Sequence, residues 1–229
     1  GTPISVGTQV TTFTSMIRGY HFTAPTSFTI CGLYIPPDAA PTGTQTIRVV
    51  KFTAGPPPAF AATTNNFIQL FTISNAPATQ VVACNIPIAA GEIIGVYGAR
   101  GANCVNSYGP ANFVTSINGF NATLQRSGMQ SCPGVGAPMA NIWSEVNFNI
   151  GRINMYVNCC TTPTLTATLS SEGLSYVFAV TGTCDDVSGG VIEITPYGGV
   201  PPYSLENTTP GGLPTYTDFI GTVSYTGLT

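Results

Sequence analysis

The stretch that decides the fold class is Thr46-Ile47-Arg48-Val49-Val50-Lys51-Phe52, followed by Gly55-Pro56-Pro57-Pro58. β-Branched and aromatic residues dominate the first part and a Gly/Pro cluster ends it, which is the pattern of a short β-strand and its turn. The pattern recurs, and no window of 11 residues keeps the apolar period of a helix. The predicted strands cover residues 5–16, 27–34, 46–52, 67–73, 80–86, 93–97, 119–126, 142–148 and 152–157. Their number and spacing predict an all-β, jelly-roll-like β-sandwich.

A domain boundary is predicted at Asn158-Cys159-Cys160-Thr161-Thr162-Pro163, where a strand ends and a Thr/Pro linker begins. It divides the chain into residues 1–157 and residues 158–229. A second set of strands is predicted over residues 164–170, 174–182, 190–195, 203–206, 216–220 and 222–225. These short strands predict a smaller, immunoglobulin-like β-sandwich.

Charge is scarce in this chain: 7% of its 229 residues are charged, against about 25% in an average soluble protein. Six basic residues cannot neutralise a run of phosphates, which excludes a nucleic-acid binder. No run of 18 apolar residues occurs, so no membrane-spanning helix is predicted. The small residue Gly1 is what cleavage by a signal peptidase leaves, which favours secretion.

The few charges are sorted along the sequence. All six basic residues precede the boundary, where three acidic residues oppose them, and the remaining six acidic residues follow it. Formal charges of +3 and −6 result for the two domains. One interpretation is chance in a weakly charged chain. The other is a head-to-tail contact in which the acidic domain of one copy meets the basic domain of the next.

The seven cysteines predict disulfides in an oxidising, extracellular setting, because no CxxC occurs and a single histidine cannot complete a Cys/His zinc site. We predict the pairs Cys31–Cys84 and Cys104–Cys132, with Cys184 bound to either Cys159 or Cys160. The odd cysteine would then be available to join two chains.

Two segments resemble secreted proteins of Bacteroidota. Thr183-Cys184-Asp185-Asp186, Gly190-Val191-Ile192-Glu193-Ile194 and Gly198-Gly199-Val200-Pro201-Pro202-Tyr203 resemble the SprB-type repeat of cell-surface adhesins, over roughly residues 165–229. Gly19-Tyr20-His21-Phe22-Thr23-Ala24-Pro25 and Arg152-Ile153-Asn154-Met155-Tyr156 are similar to a secreted β-sandwich module. The resemblance implies a location at the cell surface and no particular reaction.

The repeat family continues past the point where this chain stops, at Thr229, with a terminal hairpin that closes the sandwich. The second domain is therefore expected to have an open edge. Either the sequence is a fragment, or another copy supplies the missing strand, as in pilins. We predict a donor strand within residues 1–16, with Ile4, Val6 and Val10 on one face, although this segment also reads as an ordinary first strand. The predicted acceptor groove consists of Val191, Ile192, Ile194, Tyr203 and Leu205.

No catalytic site is predicted. A Ser/His/Asp triad would need His21 with Ser15 or Ser27 and Asp38, but there is no G-x-S-x-G motif. Glu92 and Glu145 are the pair that a glycosidase mechanism would use, and Glu92 lies in a turn where a solvated glutamate is ordinary.

Three kinds of binding or modification site are considered. Asp185, Asp186 and Glu193 offer hard oxygen ligands for Ca²⁺, although adjacent turn aspartates are usually only solvated. Sugars would stack on exposed aromatic rings, for which the candidates are Tyr97, Tyr108, Phe113 and Trp143. Candidate glycosylation sites are the N-x-T asparagines Asn121 and Asn207 and the linker threonines Thr161, Thr162 and Thr164.

The sequence as a whole predicts a non-enzymatic structural subunit of an extracellular surface filament, without a cofactor, whose main partner is a second copy of itself. The alternative is an adhesin or carbohydrate-binding module of a larger secreted protein. A viral surface protein and a secreted hydrolase are further alternatives that the all-β composition leaves open.

Overall fold

A computed structural model describes residues 3–158, 174–181, 190–198, 200, 202–205, 216–220 and 223–228. The chain divides into two compact units, residues 1–159 and 160–229. The division lies beside the predicted boundary at 157/158. Each unit is described here by itself.

The described residues form strands, bends and turns and include no helix. This confirms the predicted all-β class, whereas the jelly-roll and immunoglobulin-like types stay predictions. In unit 1 the strands are β1 (Thr11–Phe13), β2 (Arg18–Thr23), β3 (Phe28–Tyr34), β4 (Thr44–Phe52), β5 (Phe67–Pro77), β6 (Val82–Ile88), β7 (Ile93–Arg100), β8 (Asn106–Ala111), β9 (Phe113–Ile117), β10 (Phe120–Gly128), β11 (Trp143–Glu145), β12 (Asn149–Gly151) and β13 (Asn154–Val157). In unit 2 they are β14 (Leu174–Thr181), β15 (Gly190–Gly198), β16 (Tyr203–Leu205), β17 (Tyr216–Phe219) and β18 (Val223–Leu228).

Unit 1 is built around a seven-stranded sheet in the order β11-β10-β2-β7-β4-β5, with β9 paired to β10. Two three-stranded sheets accompany it, β13-β3-β6 and β1-β8-β12, and the strand ladders are antiparallel. One apolar cluster joins Tyr20, Val49 and Val96 of the large sheet to Leu33 and Ile86 of the sheet β13-β3-β6. These two sheets therefore pack face to face as a sandwich.

The large sheet also buries part of its opposite face. Val50, Phe52 and Tyr97 point away from the main core and pack with Met139 and Ile142, which lie in the long connection between β10 and β11. Because side chains alternate along a strand, a strand covered on both sides becomes a nearly continuous buried run, as in the pattern of β4 and β7. This connection thus serves as a second cover for the sheet.

Unit 2 contains the antiparallel sheet β14-β15-β18 and the two-stranded sheet β16-β17. Strand β15 is central, because it pairs with β14 on one side and with β18 on the other. The predicted strand at residues 164–170 lies outside the described residues.

Strands β9 and β10 form a hairpin whose turn is the Asn118-Gly119 pair. Ile117 and Phe120 are cross-strand partners, so Asn118 and Gly119 form a two-residue loop. Both have positive φ, 52° and 81°, which is the conformation that Asn-Gly favours in a hairpin.

The structure differs from the predicted strands at several places in unit 1. Strands β8 and β9 were not predicted, and the predicted strand 142–148 forms only over Trp143–Glu145. Of the predicted strand 5–16, only Thr11–Phe13 forms a ladder, while Arg18–Thr23, unpredicted, is a central and almost wholly buried strand. No helix in the described part of the chain is both long and apolar enough to cross a membrane.

Candidate functional site

The predicted donor segment is packed on its own unit. Pro3 forms an antiparallel bridge with Tyr156, and the Ile4 amide donates a 2.9 Å hydrogen bond to the Met155 carbonyl oxygen. Ile4 and Val6 are buried in the main core, whereas Val10 is 59% exposed. The prediction that these three side chains share one face is therefore wrong: the chain turns between Val6 and Val10, at Gly7 with its positive φ.

The next part of this segment lies on the surface. Residues 8–15 are all exposed, and only Thr11–Phe13 pair with β8. In the described part of the chain, no strand pairs with the outer edge of β1. Unit 1 thus presents an uncharged stretch rich in threonine that has one free strand edge.

The predicted acceptor residues are distributed over two sheets of unit 2. Val191, Ile192 and Ile194 lie on β15, whose two neighbours already pair with it, and Tyr203 and Leu205 lie on β16. Ile194 is buried. A central strand has no free edge, so among the described strands of unit 2 an added strand could pair only with β14, β16, β17 or β18. The acceptor groove itself stays a prediction.

Among the described strands, the longest one with a free edge belongs to unit 1. Strand β5, 11 residues long, ends the seven-stranded sheet, and its only ladder in the described residues is with β4. Its sequence, FIQLFTISNAP, carries no charge, and its single proline is the last residue. Ile68 is half exposed, directly opposite Lys51. A long, apolar, uncharged edge is a template for pairing with another strand.

Half of the basic residues of unit 1 form surface ion pairs. Lys51 lies 2.9 Å from Glu92, and Arg126 Nε lies 3.2 Å from Glu145. The third pair is Arg152 with Asp38. Burial alone would raise the pKa of Asp38, but hydrogen bonds with Ser107 and Arg152 hold it below its usual range. These pairs involve all three acidic residues of unit 1.

The other three basic residues, Arg18, Arg48 and Arg100, are buried. Arg100 donates hydrogen bonds to the carbonyl oxygens of Ile35 and Ala40 in the β3–β4 connection and of Ala78 in the β5–β6 connection. Arg48 donates to the Ala137 carbonyl at 3.2 Å and to the Ser74 hydroxyl at 2.8 Å. Burial lowers the pKa of Arg48, because desolvation penalises the charged form. Arg48 and Arg100 therefore each connect segments that are distant in the sequence.

This distribution corrects the interpretation of the sorted charges. The excess positive charge of unit 1 consists of buried arginines, and its remaining bases are paired with acids. Unit 1 therefore does not present the basic surface that a charge-driven head-to-tail contact would need.

Of the two disulfides predicted within unit 1, one forms and the other does not. Cys104 and Cys132 form a disulfide, with Cα atoms 5.8 Å apart, which confirms that pair. Cys31 is also disulfide-bonded, but Cys84 is a free thiol, so the predicted Cys31–Cys84 bond is wrong. Cys31 lies on β3 and Cys84 on the paired strand β6, but their sulfur atoms do not face each other. The Cys31 sulfur lies near the Tyr156 carbonyl oxygen, and the Cys84 sulfur lies near the Ile30 carbonyl oxygen. Burial raises the pKa of the Cys84 thiol to about 11. Cys159, Cys160 and Cys184 lie outside the described residues.

The residues considered for catalysis are engaged elsewhere. His21 lies on the central strand β2, nearly fully buried, between Gly95 and Gln125 of the neighbouring strands. Burial lowers its pKa to about 4. Asp38, Glu92 and Glu145 are each paired with a different base. The structure therefore assembles neither the triad nor the carboxylate pair.

The aromatic candidates for sugar binding are mostly interior. Tyr97, Tyr108 and Trp143 are buried, and Phe113 packs on the main core. These rings cannot offer an open face to a sugar, so the prediction of a sugar platform at the three buried residues is wrong. Among the described residues, the exposed phenylalanine rings are instead those of Phe13, Phe60, Phe120 and Phe148, none of which was predicted.

The structure describes only some of the predicted glycosylation sites and Ca²⁺ ligands. Asn121 and Thr123 are both exposed on β10, next to the Asn118-Gly119 turn, so this N-x-T sequence is accessible. Asn207, Thr161, Thr162 and Thr164 lie outside the described residues, as do Asp185 and Asp186. Glu193 lies on β15, opposite Ala179 and Ser224. No cluster of three potential metal ligands occurs within the described ranges.

Comparisons with protein-family models, with curated proteins and with solved structures find no match to this chain.

Proposed function

We propose that this chain is a structural subunit of an extracellular filament, in which copies join by pairing of exposed strand edges. The observation that carries the proposal is the uncharged outer edge of β5. Natural proteins usually protect such an edge with a lysine, a proline or a covering segment, because an unprotected edge pairs with other chains. The β4–β5 ladder contains register shifts that twist β5, but they add no charge to it.

Residues 8–15 are the favoured partner for this edge. They are exposed and uncharged, and β1 within them has a free edge. Pairing β1 of one copy with β5 of the next is a heterologous contact, because two different surfaces meet. A heterologous contact that does not close into a ring generates an open filament. This arrangement leaves Ile4 and Val6 in their own core, whereas a donor strand that carried them into another copy would first have to unpack them.

The composition supports a location outside the cell. Disulfides such as Cys104–Cys132 persist in oxidising compartments. The surface of unit 1 is rich in threonine and serine and has no excess charge to keep copies apart. These properties suit a subunit that associates with itself.

Electron microscopy of the purified chain tests the proposal. We expect fibres from the unaltered chain and separate particles from Ile68→Glu, which places a charge on the β5 edge. The matched control is Val135→Glu, an equally charged change at an exposed loop residue, and it should leave fibre formation intact.

Two results would count against the proposal in different ways. Fibres from Ile68→Glu would show that assembly does not use β5. Absence of fibres from the unaltered chain over a wide range of concentration would remove the filament function itself. To show that the Ile68→Glu variant is still folded, its denaturant midpoint is compared with that of Val135→Glu.

A further inference from the structure

A group of aromatic rings and two arginines lies where β8, β10 and β11 meet. We call it the arginine–aromatic cluster, and its members are Phe13, Arg18, Phe60, Tyr108, Arg126, Trp143, Glu145 and Phe148. Trp143 is its centre: the Arg18 guanidinium carbon lies 4.6 Å from the centroid of the Trp143 ring, and that of Arg126 lies 5.8 Å from it. Arg126 also lies 5.1 Å from the Tyr108 ring. The cluster is therefore densely packed around two cations.

The cluster has several poorly satisfied buried hydrogen-bond donors. Trp143 Nε1 has no acceptor, and Arg18 Nε, Arg126 Nε and the Tyr108 hydroxyl make no hydrogen bond of ordinary geometry: the Arg18 side chain and Tyr108 face each other, and Arg126 Nε lies beside Glu145. They are four of the six such side-chain atoms in the described part of the chain. Trp143 is 1% exposed, and Arg18 and Tyr108 are also buried. An unsatisfied buried donor destabilises the folded chain, so a concentration of them in one place indicates a site for an acceptor.

The charge of the cluster indicates what kind of acceptor fits. Arg18 and Arg126 bring two positive charges and Glu145 brings one negative charge. Glu145 lies 3.2 Å from Arg126 Nε but is not aligned to accept its hydrogen bond. One further negative charge would neutralise the cluster, which favours a monoanion over a phosphate. A sugar is disfavoured because the unsatisfied nitrogens only donate, whereas sugar hydroxyls need acceptors as well.

Exposed phenylalanines surround the buried donors. Phe148 and Phe13 are 54% and 41% exposed, and both rings contact the arginines, at 5.6 Å from Arg126 and 5.7 Å from Arg18. Phe60 packs edge-on against Trp143 and is 51% exposed. These exposed rings provide apolar area beside the donors, and binding of a ligand to the donors requires the rings to rotate aside.

We propose that the arginine–aromatic cluster binds a carboxylate attached to an apolar group. The carboxylate accepts hydrogen bonds from Trp143 Nε1 and the two arginine side chains, and the apolar group lies against Phe13 and Phe148. Charge-assisted hydrogen bonds from guanidinium to carboxylate are among the stronger ones in proteins. The carboxylate comes either from a small organic acid or from an Asp or Glu side chain of a second copy.

The fluorescence of Trp143 provides a direct measurement, because it is the only tryptophan in the chain. We expect a saturable change in its emission on titration with sodium 3-phenylpropionate, a weaker response to sodium acetate and none to 3-phenylpropanol, which lacks the charge. Arg126→Gln should weaken 3-phenylpropionate binding by about tenfold or more, the effect of losing one charge-assisted hydrogen bond. Lys51→Gln, which removes a cation outside the cluster, should leave it unchanged.

A second variant protects the test against misfolding of Arg126→Gln. Phe148→Ala removes an exposed ring, so we expect weaker binding of 3-phenylpropionate with acetate binding unchanged. No saturable response to 3-phenylpropionate, an equal response to the alcohol, or full binding by Arg126→Gln would overturn the proposal. Dilution without added acid separates the two sources: a concentration-dependent emission assigns the carboxylate to a second copy, and a constant emission assigns it to a small acid.

Discussion

The interior and the surface of unit 1 use positive charge in different ways. Arg100 is fully buried and donates to carbonyl oxygens of three loop residues, whereas Lys51 is about one-third exposed and meets a single carboxylate, Glu92. Water competes for the surface pair but not for the interior contacts. The interior arginines should therefore stabilise the fold far more than the surface pairs do.

This difference explains how a chain with so few charges can still stabilise its loops. A guanidinium offers five donors in a planar fork, so one side chain can satisfy several loop carbonyls at once. Arg48 and Arg100 do this for loops whose backbone would otherwise be left unsatisfied. The scarce charges serve as internal crosslinks, and the surface is left to hydroxyl groups.

Arg100→Met should give the largest effect, because it keeps the aliphatic bulk but leaves the carbonyls of Ile35, Ala40 and Ala78 without a donor. We expect the free energy of unfolding to fall by about 3–5 kcal/mol, as for the loss of one partner from a buried charged network. Urea denaturation measures this. A loss below about 1 kcal/mol would mean that the interior and surface cations are equivalent.

Removal of the Cys104–Cys132 disulfide is expected to come next. The bond joins residues 28 apart and fastens the connection that covers the second face of the sheet. The loop-entropy relation gives a loss of about 3.5 kcal/mol for the double alanine variant. Cys84→Ala is the matched control, since Cys84 is a free thiol. Equal midpoints for the double variant and the control would contradict the expectation.

Acid should reveal a third interior contribution, that of His21. Burial lowers its pKa to about 4, from about 6.5 in the unfolded chain. Between these values the unfolded state binds more protons, so stability is complete above about pH 6.5 and is lost as the pH falls toward 4. The loss amounts to about 3 kcal/mol. Unfolding curves over this range measure it, and His21→Gln should flatten the pH dependence above pH 5.

Lys51→Met should give the smallest effect. Its ion pair with Glu92 is partly exposed, and such pairs contribute about 0–1 kcal/mol. The same urea experiment measures it beside Arg100→Met, with the same new side chain in both variants. A loss as large as that of Arg100→Met would remove the distinction between interior and surface cations.

The strands that could be predicted from the sequence are those bounded by turn residues. Thr46–Phe52 and Phe67–Ile73 stand beside Gly/Pro or Asn/Pro clusters, and both lie within observed strands. Strand β2 was missed because Arg-Gly-Tyr-His-Phe-Thr has no clean alternation of apolar and polar residues and contains a glycine, which weakens a strand prediction. Its polar members are buried because loops and neighbouring strands from elsewhere in the chain enclose them, which a local pattern does not record.

The candidate sites were harder to predict for the same reason. The Cys31–Cys84 prediction followed order along the chain, but bonding depends on where each sulfur points across the β3–β6 ladder. Trp143 and Tyr108 looked like surface platforms, and only the packing of two distant arginines shows them to be interior. An arginine between apolar residues, such as Arg48 between Ile47 and Val49 in β4, is the one local signal that could have pointed to the buried cations.

The bridge between Pro3 and Tyr156 has a mechanical consequence. The strand that enters unit 1 and the strand that leaves it run antiparallel side by side, so both ends emerge at the same place. A force pulling on the two ends would open the Pro3–Tyr156 and Ile4–Met155 contacts one after the other, like a zipper, instead of shearing a whole ladder at once. Unit 1 under tension should therefore begin to yield at low force from its N-terminal segment, with the disulfide-bonded sheet behind it still intact.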